Sequence, residues 1–528
     1  MPPSSSPEIL ALADAIGWEV CGGKDRAARS GDGQFFTPAP IAQQLATWFC
    51  EDGLNRPAVR LLDPGAGAGV LTAAAIDRIA ALKAAKRLNR LREVSLTAWE
   101  LDASFVPTLR RNLDASAAAL ESVGIRTLVE LREESYIAGA VDELDNGLFG
   151  ASETRHFTHA ILNPPYKKIA STSRDRARLS SIGIECSNLY AAFVWLALRQ
   201  LEEGGELSAI TPRSFCNGPY FREFRRELLR NSTLDRIHLF DSRKEAFGRD
   251  EVLQENLLFH LVRAASPERP VVLSSGSLKE PTSVRIPQSR LVSRNDRDQI
   301  IHLATETDSH EVRDFFDSLP STLSDLGLEV STGPVVDFRL KSALSRQLGP
   351  NCVPLIYPFG IKGGRVLRPL PRSHDYEDAR AAKKAVAIES NDESRRWLLP
   401  RERYVLIKRF SSKEEKRRLV AGVLEPADFP EGPIGIENHI NFFHQRRAGL
   451  DAPLAAGLCR FLNSTVADRF FRQFNGHTQV NASDLRAFLY PSAERLRRLG
   501  EARLNDAEQC EIDRAVARHL CAPSFNAA

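Results

Sequence analysis

Asn163-Pro164-Pro165-Tyr166 is the stretch of this chain whose residue types most directly imply a reaction. An amino group conjugated to a ring or a carbonyl is a poor nucleophile, because its lone pair is delocalised. Two acceptors placed around such a nitrogen, one for each N–H, draw it toward tetrahedral geometry and free the lone pair for attack on an electrophilic carbon. The side-chain oxygen of Asn163 is one such acceptor. The carbonyl of Pro164 is the other, held by a Pro-Pro backbone with little conformational freedom. Tyr166 adds a flat face on which a base taken out of its stack can lie. Asn-Pro and Pro-Pro also make ordinary turns after strands, so the surroundings must decide between chemistry and a turn.

A second constellation lies upstream. Leu61-Leu62-Asp63-Pro64-Gly65-Ala66-Gly67-Ala68-Gly69-Val70-Leu71 reads as a strand, a glycine-rich turn and the start of a helix. Glycines allow positive φ angles and let a ligand lie against the main chain, and the helix start offers unpaired N–H groups. Trp99-Glu100-Leu101-Asp102 then puts a carboxylate at the end of the next strand, where it can accept from both hydroxyls of a ribose. The dinucleotide pattern GxGxxG is absent. The turn DPGAGAG instead resembles motif I of the class I methyltransferases, which bind S-adenosyl-L-methionine (SAM). That resemblance makes Asp63, Gly65, Gly67 and Glu100 candidate cofactor residues.

Positioning these groups requires a sheet. From Gln34 to about Arg263, short apolar strands alternate with longer helices, the pattern of an α/β domain with a mainly parallel sheet. Strands are expected at Ala58–Leu62, Ser95–Trp99, Ala160–Leu162, Glu206–Ile210, Arg236–Phe240 and Leu257–Val262, with helices such as Leu71–Leu88, Ala103–Leu120, Leu189–Leu201 and Tyr220–Leu229 between them. Residues 1–33 form a lead segment and 34–265 the catalytic domain. Residues 266–295, rich in Ser, Pro, Gly and charge, read as a linker. Residues 296–528 mix short strands (Val353–Tyr357, Tyr404–Ile407) with helices (Pro453–Phe461, Val466–Phe474) in a second, α+β domain.

Bulk properties narrow the classes. A chain of 528 residues exceeds one hydrophobic core. At 43% hydrophobic and 26% charged, it has the composition of an ordinary globular protein. Its longest apolar stretch, Leu189–Leu198, is too short to span a bilayer, and MPPSSSPEIL is not a secretory signal, so a cytoplasmic protein without a membrane partner is expected. Eight cysteines without a CxxC pair point to neither a disulfide framework nor a zinc site, and the spacing of His439 and His444 fits no zinc motif; no metal is expected. The net charge of +3 neither supports nor excludes nucleic acid, but basic clusters stand at Arg222–Arg226, Lys408–Arg418 and Arg446–Arg447.

The order of glycine turn, acidic strand end, Asn-Pro-Pro-Tyr and large C-terminal domain resembles the gamma group of DNA adenine-N6 methyltransferases, over most of residues 34–263. More narrowly, FFTP, NPPYKKI, PRSFCNG, VLQEN and NGHTQVN resemble the PstI-type modification methylases. The resemblance implies a Rossmann-like, mainly parallel seven-stranded sheet, followed by a target-recognition domain. It implies methyl transfer from SAM, leaving S-adenosyl-L-homocysteine, to the N6 amine of an adenine flipped out of double-stranded DNA, either beside a separate cognate restriction endonuclease as a further partner or as an orphan methylase without one. Gln34-Phe35-Phe36-Thr37-Pro38 resembles motif X, which assigns Thr37 to the SAM carboxylate. Where the family has Asp-Phe after the third strand, this chain has Glu133-Glu134-Ser135-Tyr136, with Glu134 the candidate for the adenine amine of SAM and a surface loop the competing reading. Phe259 is a candidate second wall for the flipped base, or a core residue.

In the second domain, Lys408 and Arg409 are candidate phosphate contacts. Asn475, His477, Gln479 and Asn481, in NGHTQVN, carry groups able to contact bases. A solvated charged face and a fold-stabilising polar turn are the plain alternatives. Protein glutamine-N5 and RNA methyltransferases use the same tetrapeptide chemistry, but a domain after the catalytic core rather than before it favours DNA.

Overall fold

Phe157–Leu162 is buried at every residue, the mark of a strand covered on both faces. This strand (β4) sits near the middle of a nine-stranded sheet in the computed structural model. The structure describes residues 7–22, 36–148, 156–240, 255–264, 269–292, 296, 298–304, 309–368, 384–411, 415–475, 478–504 and 508–523. Gln34, Phe35, Val252–Gln254, Lys413, Gly476 and His477 lie outside the described residues, as does most of the lead segment apart from a helix, Pro7–Gly22. The chain divides into two units, residues 1–305 and 306–528.

In the first unit the strands are β1 (Ala58–Pro64), β2 (Glu93–Trp99), β3 (Arg126–Arg132), β4, β5 (Leu201–Pro212), β6 (Thr233–Leu239), β7 (Asn256–Val262), β8 (Val271–Ser275) and β9 (Thr282–Ile286). Their order is β3-β2-β1-β4-β5-β7-β6-β8-β9. β1 to β5 pair parallel with their neighbours, whereas β7 runs antiparallel between β5 and β6. The first seven form the class I methyltransferase sheet. One hydrophobic cluster joins it to the helices Ala39–Thr47, Val70–Ala84 and Val106–Ser122. A second joins it to Tyr136–Leu148, Leu189–Gln200 and Arg222–Asn231.

The expected linker is partly sheet. β8 pairs parallel with β6, and β9 antiparallel with β8. Val271, Leu273 and Ile286 are buried, so a short alternation of apolar positions extends the sheet where the surrounding Ser, Pro and Gly suggested a crossing.

The second unit is α+β. One sheet has the order β10-β19-β16-β17-β14-β13: Glu329–Thr332 (β10), Ile440–His444 (β19), Tyr404–Lys408 (β16), Ala421–Leu424 (β17), Gly364–Val366 (β14) and Ile361–Lys362 (β13). A smaller sheet joins Leu344–Ser345 (β11), Ala387–Glu389 (β15), Cys352–Ile356 (β12) and Gly435–Ile436 (β18). Among its helices, Ala452–Leu462 and Ala493–Glu501 cross at Gly457, where a Cβ would come within 1.8 Å of the Leu496 carbonyl.

Two buried acidic groups shape the first unit. Glu206 accepts from the Cys50 N–H at 2.7 Å and from His260 Nε2 at 3.1 Å, while His260 Nδ1 lies 3.2 Å from Asp235. Burial works against a charged His260, but hydrogen bonds to the two carboxylates raise its pKa overall. His159, 4.0 Å from Glu206, is held down at about 4 by burial, so of the two imidazoles His260 is the one whose charged form the carboxylates favour. Asp63 accepts from the Thr72 N–H at 3.2 Å and its hydroxyl at 2.7 Å, bracing the first turn of Val70–Ala84. Burial still pushes the Asp63 carboxyl up to about 7, with Glu100 adding to the rise.

Two stability measurements check this account. Glu206→Ala leaves the buried Cys50 N–H without its acceptor and His260 with Asp235 as its remaining carboxylate, and denaturant unfolding should show a loss of roughly 2 kcal/mol or more; a loss near zero would contradict the buried cluster. Asp63 binds its proton more tightly in the folded state than in the unfolded chain. It therefore costs stability increasingly as pH rises from the ordinary carboxylate value, 3.8, through about 7. Asp63→Asn should gain on wild type across that window by up to about 4 kcal/mol, and a pH-independent difference would contradict it.

Candidate cofactor cavity and catalytic loop

β1 feeds strands to one side of the sheet and β4 to the other, so a crevice opens beyond their carboxyl ends. A cavity of about 470 Å³ lies there, within the range of small-molecule sites. Gly65 and Gly67 line it, at φ of 74° and 56°. These left-handed angles turn the chain so that the N–H groups of Gly65 and Ala66 donate to the Trp99 carbonyl at 2.8 and 2.9 Å. Gly67 N–H donates to one Glu100 oxygen and Asp102 N–H to the other, each at 2.7 Å. Glu100 is thus fixed at the cavity wall by main chain on both sides, and burial raises its pKa. Asp63 does not line the cavity; its ordering of the helix start leaves it one layer away.

The cavity is amphipathic, as a nucleoside attached to an amino acid requires. Trp99, Phe105, Ile137, Leu189 and Phe193 supply apolar wall, and Glu100, Asp102 and Glu134 supply acceptors. Glu134 is exposed and lies on the lining. Tyr136 lines it too, with its hydroxyl turned away to donate to Gln200 at 2.7 Å and its ring edge-on to Trp99. The donor set and shape therefore fit SAM. Phe193 and Leu189 went unread in the sequence because their run of apolar residues looks the same as a core helix. Asp102, Lys167 and Asp175 also line the cavity. Asp102 stood in the quoted strand end, and nothing in the spacing singled out the other two.

Asn163 and Pro165 line the catalytic end, whereas Pro164 is buried. Asn163 Nδ2 donates to the Thr37 hydroxyl at 2.8 Å, and the Tyr166 hydroxyl donates to Asn163 Oδ1 at 3.2 Å. The side-chain amide is held from both ends, with Thr37 also on the cavity wall. The loop itself is pinned to the start of the next long helix: Leu189 N–H donates to the Lys167 carbonyl at 2.9 Å, and Ile169 N–H to that of Ser187 at 2.8 Å. Tyr166 is half-buried, edge-on to Tyr190 at 6.3 Å, and burial keeps its hydroxyl protonated.

Phe259 is not a wall of this site. It is fully buried in β7, an interior strand, with its ring against Phe215 at 5.7 Å. A strand covered on both faces has no side chain to spare for a ligand.

In the second unit, Lys408 ends β16 half-buried, and burial depresses its ammonium pKa. Arg409 donates to the Asn438 carbonyl at 3.1 Å and to Gln479 Oε1 at 3.3 Å. Asn475 is corrected from a base contact to a brace: 1% exposed, it accepts from the buried Arg418 guanidinium at 2.8 Å and donates to Asp484 at 2.9 Å. Asn481 is spent likewise, in a capping box with Asp484 at the start of Ala482–Arg486. Of the four candidate residues of NGHTQVN, Gln479 is left half-exposed, and His477 lies outside the described residues.

Comparison with known proteins agrees with this geometry. The Eco57I restriction-modification methylase family matches residues 97–247, which hold the acidic strand end and the catalytic loop. The chain is 39% identical over 513 residues to the Type II methyltransferase M.PstI of Providencia stuartii, covering 96% of this chain and 97% of that one. It is 40% identical over 501 residues to M.BsuBI of Bacillus subtilis, covering 94% and 95%. Among solved structures, the DrdV–DNA complex shares the fold, with a TM-score of 0.52 at 14% identity over 94% of this chain and 60% of that one. With alignment nearly end to end to two such relatives, the chain belongs to the PstI-type Type II modification methyltransferases.

Proposed function

We propose that the chain transfers a methyl group from SAM to the N6 amine of an adenine in duplex DNA. The observation that carries this is Asn163 at the switch point of the sheet, its amide held by Thr37 and Tyr166 on the wall of a cavity suited to a nucleoside. SAM in that cavity supplies an electrophilic methyl group and leaves as S-adenosyl-L-homocysteine. The glycine turn and Glu100 bind the cofactor's sugar end, and Glu134 with the Tyr136 wall binds its base. The target adenine leaves the duplex stack, since the amine cannot reach a buried loop from within the helix. Asn163 Oδ1 and the Pro164 carbonyl each accept one N6–H, and the freed lone pair forms the N–C bond as the methyl–sulfur bond breaks. The methylated nitrogen then loses its extra proton to water.

Tyr166 donates its hydroxyl hydrogen to Asn163 Oδ1, an oxygen with two lone pairs. Its hydroxyl thus orients the amide, and its ring offers the base a face. In the cell this activity belongs in the cytoplasm on chromosomal DNA, and a separate restriction endonuclease cutting the same sequence is the partner it implies.

Radiolabelled methyl should pass from SAM to unmethylated genomic DNA and be recovered as N6-methyladenine nucleoside, not in RNA or protein offered beside it. Label confined to RNA or protein would overturn the substrate. Asn163→Ala should lower turnover about a hundredfold or more, as loss of a transition-state acceptor does, with SAM binding largely intact; near-wild-type turnover would remove its role. Tyr166→Phe keeps the ring but removes one of the two holds on the amide, and should lower turnover less than Tyr166→Ala. Equal losses would mean that the ring has no part in holding the base.

A further inference from the structure

We propose that Phe410 and Gln479 are base-contacting, specificity-determining side chains that together read an A·T pair of the target sequence. The proposal rests on the reading of the chain as a DNA methyltransferase.

Phe410 follows β16 and is 41% exposed, a large apolar ring left in water. Its neighbours hold it there. The His439 ring lies 4.7 Å from it, centroid to centroid, and the Arg409 guanidinium 5.8 Å from its centre. Main-chain bonds lock three segments around it: Arg409 N–H to the His439 carbonyl (2.9 Å), Val480 N–H to the Arg409 carbonyl (2.7 Å) and Ser411 N–H to the Thr478 carbonyl (3.0 Å). Phe410 and Gln479 face each other across an isolated antiparallel bridge. Below them the buried Arg418 ties Ser411 to Asn475, and the fully buried Glu437 holds His439 through both its ring and its N–H.

The result is a rigid outcrop of one ring and one amide. Arg409 donates to Gln479 Oε1, so the amide is oriented before any partner arrives, and little side-chain entropy remains to be lost on binding. The charge nearby suits a polyanion. Arg409, Lys408 and Lys362 are basic, and among the described residues Glu437 and Asp484 are acids close by, both buried and hydrogen-bonded, while Glu415 is exposed. An oriented carboxamide matches the N7 and N6 edge of adenine, and an exposed phenyl ring matches the thymine methyl group. Both features of one base pair are thereby met by side chains that already face each other.

The test compares wild type with Phe410→Ala, Gln479→Ala and Gln479→Glu. The cognate sequence is first read from sites methylated in genomic DNA. Methyl transfer (kcat/KM) is then measured on the cognate duplex and on duplexes carrying each single base-pair change. The expected result is a fall in discrimination of about tenfold or more at an A·T position, in both alanine variants, with other positions, thermal stability and SAM affinity preserved. Discrimination like wild type at every position would overturn the proposal, as would an equal loss on all duplexes, which would mark a phosphate or structural role. A wild-type enzyme that methylates no DNA would instead remove the underlying reading.

Discussion

Between β1 and β4 the chain reverses the direction in which it lays down strands, and almost everything functional follows from that reversal. Helices leaving the two strands diverge, so no crossover covers the gap at their carboxyl ends. The glycine turn opens from one side of the gap and the Asn-Pro-Pro-Tyr loop from the other. Their separation in sequence is long, yet register brings them together: Leu61 lies opposite His159 and Leu62 opposite Ala160, so both strands end at the same level. A shift of that register by one residue would turn Asn163 to the opposite face of the sheet.

The site is held by polar groups that are expensive to bury, and each has a reason to be there. Glu100 gives up hydrogen bonds to water and recovers two from the main chain, which fixes the wall it belongs to. Asp63 recovers less, because one of its oxygens has no partner, and its raised pKa records that imbalance. Away from the cavity, the Glu206 cluster joins the segment at Cys50 to β5, β6 and β7 through one imidazole.

What the sequence made legible was local. A glycine turn, an acidic strand end and a proline-stiffened tetrapeptide each declare themselves within a few residues, and the alternation of strands and helices orders them. Reading failed where the deciding partner was distant. Asn475 in a turn looks free until Arg418, 57 residues away, is found bonded to it. Phe259 looks available until β7 proves to be interior. The strands β8 and β9 carry few buried positions each, too short an alternation to stand out among Ser, Pro and Gly. Phe193 and Leu189 share an apolar run that periodicity cannot divide between core and cavity. Resemblance supplied Thr37, but not its bond to Asn163, which joins residues 126 apart.

That bond makes the two ends of the active site one thermodynamic unit. Thr37 lies on the cavity wall and at the same time restrains the Asn163 amide, the acceptor proposed for the target nitrogen. A cofactor that orders residues 36–38 therefore also reduces the rotational freedom of Asn163 before the base arrives. Linkage is reciprocal, so on the proposed mechanism whatever the cofactor adds to the hold on the base, the base adds to the hold on the cofactor.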